Sequence, residues 1–117
     1  MRKIYRYKDL TKVVQKEEHV TLTVEFVTDG NTGVTAVNIP GPNDPTILNE
    51  GSANIGKGKD LYSELTACVT DVANPIPEED TITVRYFINE DLLLEHTNAK
   101  SVSDQPMIIL MIKFVES

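Results

Sequence analysis

A phosphate-binding loop is the first chemistry to consider, because Gly51, Gly56 and Lys57 in GSANIGKGKD have the spacing G-x-x-x-x-G-K. Such a loop also needs a Ser or Thr hydroxyl for magnesium, at the start of a helix whose N–H groups face the phosphates. The residue after Lys57 is Gly58, so that hydroxyl is missing. The residues that follow alternate as in a strand, so no helix is predicted there. We therefore expect a connection here and no nucleotide site.

Residues suited to metal binding or nucleophilic catalysis are few and widely separated. The strongest ligands, His19, His96 and Cys68, lie in three segments, and none has a partner at C-x-x-C or H-x-x-x-H spacing. Cys68 lies between threonines on a predicted strand, where nothing would activate its thiol. No G-x-S-x-G elbow is present. The sequence predicts no metal, no cofactor and no catalytic role, with both histidines on the surface.

Two kinds of ligand remain as an alternative function. The acidic residues 78–80 of the turn PEED at 77–80, with Asp71 and NED at 89–91, could offer oxygens to calcium, although no EF-hand-type loop is present. Glycan platforms use exposed aromatic rings, and this chain has no Trp, four Tyr and three Phe. A glycan or calcium site at a loop end is the second hypothesis. Other small-molecule ligands are not expected.

Charge is distributed unevenly. The net charge is −7, yet residues 1–19 contain six basic and three acidic side chains, against five basic and fifteen acidic in the remainder. An acidic body repels phosphate backbones, so nucleic acid is not an expected partner. A basic segment and an acidic body favour contact with a protein partner or a second copy. The candidate interaction surface consists of Arg2, Lys3, Tyr5, Arg6, Tyr7, Lys57 and Lys59.

Length and composition predict one domain, residues 1–117, with a core that needs no disulfide. The single cysteine, Cys68, favours a reducing compartment such as the cytoplasm, unless a leader has been removed. The first ten residues contain no apolar stretch of the signal-peptide kind. No run reaches 18 apolar residues, so no membrane span is predicted.

Alternation of apolar and polar residues is the dominant local pattern, and it is typical of half-buried strands. VTLTVEFVT at 20–28 and VTAVNI at 34–39 flank DGNTG, which predicts a hairpin. In LYSELTACVTDV at 61–72, the predicted apolar face contains Leu61, Leu65, Ala67 and Val69. TITVRYFI at 81–88 and LLLEHT at 92–97 flank a tight turn at 89–91. MIILMIKFV at 107–115 is apolar on both faces, which predicts a central strand or one partly covered by another subunit.

Two segments interrupt this pattern. Residues 40–60 are rich in Gly and Pro and predict a long loop, with a short strand at Thr46–Leu48. Residues 1–18 are a candidate N-terminal arm. Within them, Leu10, Val13 and Val14 have helical spacing over 8–17, whereas KIYRY fits an edge strand equally well.

Together these patterns predict an all-β, antiparallel two-sheet sandwich, immunoglobulin-like or jelly-roll-like, with at most one short N-terminal helix. The absence of reactive clusters favours a non-catalytic structural or protein-interaction module. Such a module would be a self-associating subunit of a larger assembly or would bind another protein.

Overall fold

The computed structural model describes residues 2–40 and 44–117. Over these residues the chain forms strands and a single four-residue helix, and the predicted all-β class is confirmed. In chain order the elements are β1 (Ile4–Val14), β2 (His19–Phe26), β3 (Thr32–Asn38), β4 (Thr46–Leu48), β5 (Gly51–Lys57), α1 (Gly58–Leu61), β6 (Thr66–Ala73), β7 (Thr81–Ile88), β8 (Asp91–Ala99) and β9 (Met107–Glu116).

The strands form two packed sheets. One has five strands in the order β1-β9-β6-β3-β4, and the other has four in the order β5-β2-β7-β8. Neighbouring strands run antiparallel except β1 and β9, which are parallel. The predicted two-sheet sandwich is confirmed with this one parallel pair, and its immunoglobulin-like or jelly-roll-like subtype stays a prediction.

The core lies between the sheets and comes from alternate residues of each strand. On β9 these are Ile108, Leu110, Ile112 and Phe114, all at most 1% exposed. β2 and β7 contribute equally regular inward rows from the opposite sheet. β9 lies between β1 and β6, so the prediction of a central strand is confirmed.

The predicted hairpin between 20–28 and 34–39 is wrong, because β2 and β3 belong to different sheets. The chain crosses the end of the sandwich at residues 27–31, where Gly30 has a φ of 85°. The Asn74 side chain secures this crossing, since its Nδ2 donates to the backbone oxygen of Asp29 and to the side-chain oxygen of Asn31. Crossing between sheets lets both strands bury their apolar faces in one core.

The helix predicted over 8–17 is also wrong, since Ile4–Val14 is a strand. Leu10 and Val14 are four residues apart, a spacing that a helix and a strand both place on one face. Val13, which would share that face in a helix, is 54% exposed. Strand β9 supplies backbone partners along the segment, so pairing decides the conformation. The sequence segment 1–18, the candidate arm, thus contains an edge strand of the larger sheet.

The inward face of β6 is the opposite of the predicted one. Thr66, Cys68, Thr70 and Val72 are buried, whereas Ala67 and Val69 point outward and are half-buried. A buried chain of hydroxyl groups stabilises this orientation: Tyr86 donates to Thr70 Oγ1 at 2.7 Å, and Thr70 and Thr35 bond at 2.8 Å. Leu61, predicted on this strand, is buried in α1, and Leu65 is exposed.

Much of the predicted loop 40–60 is strand. Thr46–Leu48 is β4 as predicted, but Gly51–Lys57 is β5, and α1 begins at Gly58. β5 pairs with β2, and the register of this pair is irregular between Val20 and Thr21. The glycines of this segment therefore do not prevent a strand, because β2 provides backbone hydrogen-bond partners. Residues 41–43 lie outside the described residues. The tight turn after β7 is confirmed, with Asn89 at a φ of 56°.

A close backbone approach makes Gly33 sensitive to substitution. A Cβ atom at this position would lie 2.0 Å from the backbone oxygen of Asp71 on the neighbouring strand. We expect Gly33→Ala to lower the free energy of unfolding by about 1–3 kcal/mol, because the strands must separate locally. Urea denaturation measures this loss. Thr32→Ala, at the exposed preceding residue, is the control, and equal stability of the two variants would contradict the close contact.

Candidate functional site

Strand β1 divides the predicted interaction surface between two sides of the sheet. Tyr5 and Tyr7 are half-buried and face β8 of the other sheet, whereas Arg6 is exposed on the outer face. This division follows from strand alternation, which sends successive side chains to opposite faces. The tyrosines and Arg6 therefore belong to separate environments.

Tyr5 and Tyr7 surround His96, a buried residue that the sequence placed on the surface. The Tyr7 hydroxyl lies 2.7 Å from His96 Nδ1, and the Tyr5 ring centroid lies 4.6 Å from that of the imidazole. On the other side of the ring, Nε2 lies 2.9 Å from Asn98 Oδ1. The prediction that His96 lies on the surface is therefore wrong. Its burial depends on partners from β1, a strand remote in sequence.

The hydrogen bonds determine which nitrogen of His96 carries the proton. Asn98 Nδ2 donates to the backbone oxygens of Ala99 and Ser103, both at 2.9 Å. Asn98 Oδ1 is thus the acceptor, His96 Nε2–H donates to it, and Nδ1 accepts from the Tyr7 hydroxyl. Burial lowers the pKa of His96, and the hydrogen bond with Asn98 acts in the opposite direction. Burial also raises the pKa of Tyr7, with a further contribution from Tyr5.

The other predicted basic residues lie near the two ends of β1. At its start, Arg2 forms an ion pair with Asp71, and Lys3 Nζ lies 5.4 Å from the centroid of the Tyr5 ring. Beyond its end, Lys57 and Lys59 lie 3.3 and 3.2 Å from the carboxylate of Glu17. Hydrogen bonds from Lys59 and Lys57 hold the pKa of Glu17 below its ordinary value. The structure does not bring these residues into one surface.

The G-x-x-x-x-G-K segment has a different environment from a phosphate loop. Gly51–Lys57 is strand β5, paired with β2. A helix does follow Lys57, contrary to our expectation, because the chain turns at Gly58, where its amide bonds the backbone oxygen of Glu18. The helix has four residues, and the Lys57 amino group faces Glu17.

The candidate ligands remain apart. Cys68 is buried on β6, and burial raises the pKa of its thiol to about 12. His19 is exposed on β2. Asp71, one of the residues considered for calcium, forms an ion pair with Arg2. Among the described residues, no group of three or more His, Cys, Asp or Glu side chains is placed to hold a metal ion.

The outer face of the five-stranded sheet carries the most distinctive surface. Half-buried apolar side chains from β9 and β6 lie side by side there: Met107, Ile109, Met111, Ala67 and Val69. Arg6 is the register partner of Ile109. A groove of about 370 Å³ runs along this face and is lined by Arg6, Lys8, Leu65, Ile109 and Met111. The candidate residues in the sequence included only Arg6 of this set, although the two apolar faces of residues 107–115 already signalled it.

Comparisons with known proteins give no relative from which to infer a function. No family model matches the chain, and no curated protein matches it. No helix in residues 2–40 and 44–117 is long and apolar enough to cross a membrane.

Burial of neutral His96 predicts a pH-dependent stability. Its pKa is lower in the native state than the ordinary 6.5, so below about pH 6.5 the unfolded chain binds a proton that the native protein does not. Native stability from this residue is therefore complete above that pH and is lost as the pH falls. We expect wild-type protein to lose more unfolding free energy than His96→Gln between pH 7 and pH 5, measured by urea denaturation.

The control for this experiment is His19→Gln, which removes the exposed histidine. It should retain the pH dependence of the wild type. Equal pH dependence of wild type and His96→Gln would show that the buried imidazole is not held neutral.

Proposed function

We propose that this chain is a non-catalytic structural module that associates with further copies of itself through the outer face of the five-stranded sheet. The observation that carries the proposal is the row of apolar side chains on that face. Met107, Ile109 and Met111 alternate with the core residues of β9, so one strand is apolar on both sides. An apolar outer row beside a groove is typical of a protein–protein contact.

Local charge supports the choice of this face. The whole chain carries a net charge of −7, which opposes association of identical copies. Arg6, Lys8 and Lys113 are exposed on β1 and β9, so cations concentrate beside the apolar row. Copies that meet here bring basic side chains, rather than the acidic residues that dominate the chain, next to the apolar row.

The non-catalytic part of the proposal is supported by the state of the reactive groups. Burial keeps the Cys68 thiol protonated, with a pKa of about 12, and a thiol in this state is a poor nucleophile. Both nitrogens of His96 are engaged by Tyr7 and Asn98. Neither group is therefore free to act on a substrate.

Sedimentation velocity over a series of protein concentrations tests the proposal. We expect wild-type protein to form oligomers as concentration rises, and Ile109→Glu to raise the dissociation constant at least about tenfold, because a charge would be buried in the contact. Leu92→Glu is the matched control, since Leu92 is 54% exposed on β8 of the other sheet. Ile109→Thr keeps a β-branched residue if the Glu variant unfolds. Wild-type protein that stays monomeric at its highest attainable concentration contradicts the proposal.

A further inference from the structure

We infer that copies of this chain associate head to tail: residues 75–80 of one copy, here called the acidic loop, dock in the groove of the next copy. The groove is the one on the outer face of the five-stranded sheet, lined by Arg6, Lys8, Leu65, Ile109 and Met111. This contact is one form of the proposed self-association and rests on the proposed function. It adds the segment of the second copy that the groove receives.

Two cations of the groove have no carboxylate partner in the described part of their own chain. Arg6 and Lys8 are exposed on β1, and neither takes part in an ion pair there. Other basic side chains do form such pairs, namely Arg2, Lys12, Lys57, Lys59 and Arg85. An apolar groove lined by two unpaired cations is complementary to a segment that carries carboxylates next to apolar groups.

The acidic loop has that combination. Its sequence, PIPEED, places the three carboxylates of Glu78, Glu79 and Asp80 directly after two exposed prolines. Glu78 and Asp80 are themselves exposed. In the part of the chain that the structure describes, none of the three carboxylates forms an ion pair.

Several carboxylates elsewhere are already engaged within their own chain. Those with an ion pair are Glu17, Glu25, Asp71, Asp91 and Glu95. The acidic loop, by contrast, contains the longest run of acidic residues in the sequence, and this run stays unpaired. It is therefore the segment of a second copy that best matches the unpaired cations of the groove.

Backbone hydrogen bonds hold the acidic loop in one shape, which reduces the conformational entropy lost on docking. The Asn74 side-chain oxygen accepts from the Ile76 amide at 3.0 Å, and the Ile76 backbone oxygen accepts from the Glu79 amide at 3.2 Å. The Lys100 amide donates to the Asp80 backbone oxygen at 2.8 Å. The two prolines restrict the backbone further. A preformed acidic turn is thus available to a partner.

The groove and the acidic loop lie toward opposite ends of β6. Leu65, which lines the groove, immediately precedes this strand, and only Asn74 separates the end of the strand from the acidic loop. The eight residues of β6 span about 25 Å. Filling the groove therefore requires the loop of another copy. A contact between two different surfaces is heterologous, and it builds open rows or closed rings rather than an isolated pair.

Mixing two blocked variants tests the head-to-tail contact. Ile109→Glu blocks the groove and keeps the acidic loop, whereas Glu78→Lys with Asp80→Lys blocks the loop and keeps the groove. We expect each variant alone to associate at least about tenfold more weakly than wild type in sedimentation velocity. An equimolar mixture, with one variant fluorescently labelled, retains one functional loop and one functional groove. It should form a 1:1 dimer with wild-type affinity and stop there, whereas wild-type protein should grow beyond the dimer.

Glu90→Lys with Glu116→Lys is the matched control, because both residues are exposed outside the acidic loop and the groove. It changes the net charge by the same amount as the loop variant. A smaller net negative charge reduces the repulsion between copies. The control should therefore associate at least as strongly as wild type, whereas the loop variant should associate more weakly. Circular dichroism melting shows that each variant is folded, and Ile109→Thr and Glu78→Gln with Asp80→Asn replace any variant that is not.

The outcomes separate this contact from the proposed function. Monomeric wild-type protein overturns self-association itself, and the head-to-tail contact with it. The head-to-tail contact alone is overturned if the loop variant associates like wild type, if the control is as weak as the loop variant, if the mixture forms no mixed dimer, or if wild-type protein stops at the dimer. Two weak variants whose mixture forms a 1:1 dimer support the docking of the acidic loop in the groove.

Discussion

Pairing between the first and last strands of the chain is the interaction on which the rest of the structure depends. β1 runs parallel to β9 from Ile4 to Val14, and β9 also pairs with β6. β9 thus has strands on both sides and a fully buried inner face. A parallel pair cannot be joined by a tight turn, so its two strands come from distant parts of the sequence. Every other element of the fold therefore lies between the two strands of this pair along the chain.

The same pairing creates two unlike environments on β1. Inward, it holds Tyr7 against His96, and Lys12 reaches Asp91 at the start of β8, so the edge strand of one sheet is tied to the edge strand of the other. Outward, it places Arg6 beside Ile109 and forms one wall of the groove. Packing of the interior and presentation of a surface are therefore linked through a single strand.

Buried polar groups give this sandwich a defined arrangement of its sheets. Tyr86 on β7 reaches Thr70 on β6, and His96 on β8 reaches Tyr7 on β1. These bonds connect one sheet to the other at two places, and each imposes a geometry that apolar packing alone does not require. The same bonds engage the Tyr86 hydroxyl and both ring nitrogens of His96 within the protein.

Several local features could be predicted from residue type alone. The inward rows of β2, β7 and β9 follow from alternation, and the turn at Asn89 follows from residues that tolerate a positive φ. The inward face of β6 could not be predicted this way, because Thr66, Cys68 and Thr70 are less apolar than the residues of the opposite face, and the bonds of Thr70 to Tyr86 and Thr35 come from distant strands. The groove was only partly foreseen, since residues 107–115 indicated a covered strand but not that Leu65 and Arg6 would lie beside it.

What the sequence by itself determined is the alternation that makes strands, and with it the two-layer class and most of the core. The tertiary structure alone decided which strands are neighbours, that β2 and β3 lie in different sheets, and that residues 8–14 are strand rather than helix. It also decided that His96 is buried and that Arg6 meets Ile109. The physical reason is one of range: alternation is set by each residue and its neighbours, whereas hydrogen-bond ladders and buried polar contacts depend on groups that are distant along the chain.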